Sequence, residues 1–180
     1  MEDSRNHWEM RDTLIIGLGH PLLSDDALGL HALTMLTGRP IPAVEYLVGG
    51  QDLLSWFEYL LYRPRIVILD AVDEGYLPGT VIRRARSGSQ LVKALAADEL
   101  HSHSTNLNLA LALMQLRRLP LPTVVIYGIQ PASVMPGEGF SPVVARAMHF
   151  LVERILADEP WHPEKYLSDA TWAIPHGVHH

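Results

Sequence analysis

The sequence contains no cysteine. That excludes a disulfide framework, a thiolate metal site and a cysteine nucleophile, and leaves His, Asp and Glu to build any metal site. It has no apolar run of about 18 residues, so no membrane-spanning helix is expected and no membrane insertion. It also lacks a basic excess: 14 Lys and Arg stand against 20 Asp and Glu, a formal net charge of −6. A nucleic-acid binder needs a basic face to replace counterions, so no nucleic-acid partner is expected. The opening MEDSRNHWEMRD is polar and acidic and lacks the basic-then-apolar order of a secretory signal, which makes a cytoplasmic protein the expectation.

What is present is a globular balance, with 48% hydrophobic and 19% charged residues over 180 positions, enough for one domain with a sizeable core. Residues 13–158 are expected to form a single α/β domain, between an N-terminal tail of residues 1–12 and an irregular C-terminal tail of residues 159–180. TLIIGL from Thr13, AVEYLV from Ala43, RIVIL from Arg65 and TVVIY from Thr123 read as strands, each closed by glycine or aspartate. Thr80 to Arg84 reads as an edge strand, and Arg86 to Leu100 is ambiguous. Helical spacing follows Ser24, which is placed to cap a helix with Asp25 and Asp26 in its first turn. Helices are also expected over Asp52 to Leu61, from Asn106 to about Arg118 behind a Ser104 or Thr105 cap, and over Pro142 to Ala157. Strand and helix alternate throughout. That pattern predicts a three-layer α/β/α fold with an open, mostly parallel central sheet and helices on both faces.

In such sheets ligands sit outside the carboxyl ends of the strands. Gly19 with Asp26, Gly49-Gly50, Asp70, and Gly128 to Pro131 all follow strand ends and should face one crevice. A dinucleotide site is one reading of Gly17-Leu18-Gly19, with Glu45 near the ribose position. The third glycine of that fingerprint is missing, however, Pro21 intrudes, and the acidic pair repels a pyrophosphate. Each acid also has an ordinary explanation, in a first helical turn or at a solvated strand end. Together they carry more. Asp26 and Asp70 follow strands expected to be neighbours, and LHSHSTNLNL places His101 and His103 just before a helix, so that one His would complete an open O,O,N site. Two carboxylates and an imidazole suit borderline divalent ions such as nickel or zinc.

Four blocks in order resemble the hydrogenase maturation endopeptidases. GLGHPLLSDDALG is similar to their first signature, approximately G-x-G-N-x-L-x-x-D-[DE]-G/A-x-G. VILDAVDEGYLPGTV resembles the second block, HSHSTNLNLALAL the third and VVIYGIQPASVMPGEGFSPVV the fourth, with VGGQDLL fitting the loop after the second strand. The resemblance runs from about Thr13 to Leu156. It implies an endopeptidase that removes the C-terminal extension of a nickel–iron hydrogenase large-subunit precursor after nickel insertion. The implied partner is the nickel-loaded precursor, with the nickel carried by that substrate and no nucleotide cofactor. The family's metal-contacting and catalytic residues carry over as Asp26, Asp70 and His103, which selects His103 over His101. His20 stands where the family has Asn, as a neutral replacement, a gate residue or an extra ligand. Asp25 is a candidate general base, although helix capping explains it equally well. Rival readings are a non-catalytic nickel-dependent chaperone or scaffold, and a Rossmann-like nucleotide-binding enzyme.

Overall fold

Alternate residues of each central strand are buried against different helices, which is why the strands read as unbroken apolar runs rather than as alternating ones. The computed structural model describes residues 13–50, 53–96, 104–137, 139–157 and 169–174. Its elements in chain order are β1 (Thr13–Leu18), a 3-10 turn (Ser24–Ala27), α1 (Leu28–Thr37), β2 (Val44–Gly50), a second 3-10 turn (Leu53–Trp56) and α2 (Phe57–Leu60). There follow β3 (Arg65–Ala71), β4 (Val81–Ser87), α3 (Gly88–Ala96), α4 (Ser104–Leu116), β5 (Thr123–Ile129), α5 (Pro142–Ala157) and β6 (Ala170–Trp172).

The strands form one six-stranded sheet in the order β2-β1-β3-β5-β4-β6. The β1/β2, β1/β3 and β3/β5 pairs are parallel, while β4 runs antiparallel to both β5 and β6. The sheet is therefore mixed, with four parallel strands, β2, β1, β3 and β5, side by side. On one face Ile15, Val67, Leu69, Val125 and Tyr127 pack beneath α1 and α5. On the other, Leu14, Ile16, Ile66, Ile68 and Val124 pack beneath α4, with Leu91 of α3 and Leu60 of α2. This is the three-layer α/β/α arrangement expected from strand and helix alternation. Among the described residues no helix is long and apolar enough to cross a membrane.

Three local expectations are corrected. The strand expected at an edge, β4, lies between β5 and β6. The tail expected to be irregular supplies that outer neighbour: Arg84 Nη1 donates to the Ala170 carbonyl at 3.1 Å, Asp169 accepts the Ala85 N–H at 3.2 Å and pairs with Arg86. Trp172 meets Phe150 edge-on at 6.5 Å and lies 4.9 Å under the Arg154 guanidinium. Finally, no side chain caps the Ser24–Ala27 turn. The Ser24 hydroxyl donates instead to the Met135 carbonyl at 2.9 Å, because the loop after β5 lies alongside this segment.

Candidate active site at the strand ends

Two glycines set how the first turn meets the sheet. Gly19 has φ of +119°, and a Cβ there would lie 1.8 Å from the Asp26 carbonyl oxygen. At Gly29, near the start of α1, a Cβ would lie 2.1 Å from the Leu69 oxygen and 2.4 Å from the Leu18 oxygen. The absence of side chains thus lets the Ser24–Ala27 turn settle against β3, which it contacts. The glycine turn brings a carboxylate-bearing segment down onto the strand ends, and the space a phosphate cradle would need is filled by Asp26's own backbone. Glu45, the residue near the ribose position in the dinucleotide reading, is paired with Arg63 at 2.6 Å.

Asp26 sits in that turn and Asp70 near the end of β3, the strand hydrogen-bonded to β1. Both are buried. Each carboxylate is held by a backbone donor: Asp26 Oδ2 accepts the His20 N–H at 2.7 Å, and Asp70 Oδ1 accepts the Ala71 N–H at 2.8 Å. These bonds fix the orientation of the two carboxylates. The Gly19 N–H donates to the Gly50 carbonyl at 3.2 Å, which draws the end of β2 to the same place. His103 and His101 lie outside the described residues, and among the described residues no group of three His, Asp or Glu side chains stands ready to hold a metal.

Asp25 has a different task from the general base suggested by its position beside Asp26. It is 0% exposed, and its carboxylate accepts four hydrogen bonds: from Ala132 N–H at 2.9 Å, Ser133 N–H at 3.0 Å, Ser141 N–H at 2.8 Å and the Ser141 hydroxyl at 2.6 Å. Burial pushes its carboxyl up, but the Ser141 hydroxyl and the three backbone donors outweigh it and hold the group below the usual aspartate value. A fully engaged, hydrogen-bonded anion is a poor proton acceptor. Asp25 instead clamps the first turn to the loop between β5 and α5. The Leu23–Gly137 bridge and the Ser24 N–H to Gly137 carbonyl bond at 3.3 Å extend the same seam.

Gln130, which the sequence reading did not single out, organises the opposite rim. Its Oε1 accepts the N–H groups of Glu74 at 2.9 Å and Tyr76 at 3.2 Å, and its Nε2 donates to Asp73 at 2.8 Å. The only signal in the sequence was a polar amide directly after a buried strand, in YGIQP.

Comparison with known proteins bears on the family and the fold. The family model described as "HycI: Hydrogenase maturation protease" matches residues 36–158, well over half of the chain and a stretch that includes Asp70 and His103. The chain is 27% identical over 147 residues to the hydrogenase 2 maturation protease of Escherichia coli K12, covering 80% of this chain and 88% of that protein. It is 26% identical over 142 residues to the hydrogenase expression/formation protein HupD of Rhodobacter capsulatus, covering 77% of this chain and 67% of that one. Its fold superimposes on the hydrogenase maturating endopeptidase HybD from E. coli with a TM-score of 0.70 and 26% identity, over 81% of this chain and 90% of the other. With the family match spanning residues 36–158 and the fold superimposing on HybD over 81% of the chain, the chain belongs to the hydrogenase maturation protease family.

Proposed function

We propose that this endopeptidase removes the C-terminal extension of a nickel–iron hydrogenase large-subunit precursor, and that it does so once nickel is seated in that precursor. Asp26, Asp70 and His103 recognise the nickel, which arrives as part of the substrate. The observation that carries the reading is a pair of buried carboxylates, each oriented by a backbone N–H: Asp70 near the end of β3, and Asp26 in the turn that follows the neighbouring strand β1 and packs against β3. An O,O,N donor set of this kind suits a borderline divalent ion, and such an ion supplies Lewis-acid polarisation of a carbonyl or activation of water. The chain's own contribution is positional. The His20 and Ala71 amides hold the carboxylates aimed, while the seam through Asp25 and the latch through Gln130 hold the flanking loops in place. With no cysteine available, thioester chemistry is excluded. The reading implies action in the cytoplasm.

The test is incubation of purified protein with nickel-loaded and nickel-free precursor, followed by mass spectrometry of the precursor's C-terminus. Cleavage is expected only from the loaded form. Asp26→Ala, Asp70→Ala and His103→Ala are each expected to abolish it while circular dichroism stays unchanged. Binding without cleavage would replace the protease reading with that of a scaffold, and full activity in any variant would remove that residue from the set.

A further inference from the structure

We propose that His20 binds the precursor peptide as a hydrogen-bond donor through Nε2 and does not ligate the metal. The inference rests on the reading of the strand-end crevice as the cleavage site. His20 opens a tight turn in which the Leu23 N–H donates to the His20 carbonyl at 3.1 Å. Pro21 at the next position suits that turn and has no N–H of its own. The Leu22 N–H is therefore the first backbone donor after His20, and it points at the imidazole: it donates to Nδ1 at 3.2 Å. A donor aimed at Nδ1 requires a lone pair there, so the ring proton sits on Nε2.

The other nitrogen is left for a ligand. Nε2 has no hydrogen-bond partner among the described residues, and it is not one of the buried, unpartnered polar atoms, so it opens to solvent. Its place is set by the same residue's backbone, whose N–H holds Asp26 at 2.7 Å. The residue whose backbone holds Asp26 therefore also carries an oriented side-chain N–H, which suits it to take a carbonyl oxygen of the precursor peptide. Metal ligation through Nε2 would need its lone pair and would move the proton to Nδ1, setting it against the Leu22 N–H. Ligation through Nδ1 would displace that same bond. Either choice gives up the Leu22 N–H bond to Nδ1, while the backbone bonds that close the turn and hold Asp26 do not involve the ring.

The arrangement also accounts for the residue type. An asparagine in this position accepts the N–H two residues on through its side-chain carbonyl and keeps an amide N–H free. The imidazole does both jobs, with Nδ1 in place of the carbonyl and Nε2–H in place of the amide.

Two measurements test the proposal. Long-range ¹H–¹⁵N correlation spectra of the full chain, with His20 assigned by loss of its signals in His20→Asn, are expected to show the Nε2–H tautomer. That pattern should persist when Zn²⁺ alone is added. An Nδ1–H tautomer, or a shift of a His20 nitrogen into the metal-bound range on adding Zn²⁺, overturns it. In cleavage of the nickel-loaded precursor, His20→Leu is expected to raise KM about five- to tenfold, the loss of one hydrogen bond, with kcat little changed. His20→Asn is expected to restore KM to within about twofold of the unaltered protein. A His20→Leu variant that folds and matches the unaltered KM, or an Asn variant no better than Leu, overturns the donor role. Failure of the unaltered protein to cut the loaded precursor overturns the reading of the site itself, and the spectra still decide the tautomer.

Discussion

The side-chain amide of Gln130 donates to Asp73 at 2.8 Å, while its carbonyl takes the N–H groups of Glu74 and Tyr76. One buried residue at the end of β5 thereby holds the loop that leaves β3 just after Asp70. The hydrogen bond from Gln130, aided by the Gly75 N–H, holds Asp73 below the usual aspartate value.

Gln130→Ala leaves two backbone donors without their partner and frees the loop. The expected cost is about 1–3 kcal/mol, together with faster amide exchange at Glu74 and Tyr76 and unchanged exchange in α5. Exchange rates at these two amides that match the unaltered protein would show that the loop does not depend on the latch.

Asp25→Ala removes the acceptor for three backbone amides and a hydroxyl. Stability in urea is expected to fall by about 2–3 kcal/mol, while the Leu23 and Ser24 bonds to the same loop still hold the Asp26 turn and the folded protein retains cleavage of the loaded precursor. Loss of cleavage in a fully folded Asp25→Ala protein would return Asp25 to the list of proton-transfer candidates.

The same residue gives the fold an acid-sensitive element. Its folded value lies below the ordinary one, so its stabilising contribution is complete above about pH 4, the unfolded aspartate range, and is lost as pH falls through the depressed folded value. Urea midpoints measured from pH 5 downward should drop more steeply for the unaltered protein than for Asp25→Asn. Parallel curves would contradict this.

Gly29→Ala tests the close approach of helix and sheet. Its Cβ would fall 2.1 Å from one strand carbonyl oxygen and 2.4 Å from another, and neither backbone can yield without moving a central strand. A destabilisation of about 3 kcal/mol is expected, with cleavage lost through displacement of the Asp26 turn. A variant as stable as the parent would mean that α1 can lift away without consequence.

The parts of the fold that were legible in the sequence are those specified locally. RIVIL and TVVIY are β-branched runs buried on both faces, and α5 spans Pro142–Ala157 as its periodicity indicated. The neighbouring of β1, which precedes the Asp26 turn, and β3, which carries Asp70, followed from their alternation with helices. What escaped depended on distant partners. Ser24 looked like a cap until the loop near Met135 lay beside it, and Asp25 looked interchangeable with Asp26 until Ser141 reached it. Ala170–Trp172 is a strand because β4 offers it an edge, a fact that three residues cannot announce by themselves. His103 lies outside the described residues, so its place in the acidic pair's company rests on the resemblance.

The bond between Asp25 and Ser141 spans 116 positions of sequence. During synthesis the aspartate emerges long before its partner exists, and contacts between such remote positions form late because the intervening chain must first be closed into a loop. The turn bearing Asp26 is therefore left unanchored until β5 and the start of α5 are made. If the Asp26 turn belongs to the cleavage site as proposed, a nascent or truncated chain holds that site unassembled, and cutting waits until the fold is complete.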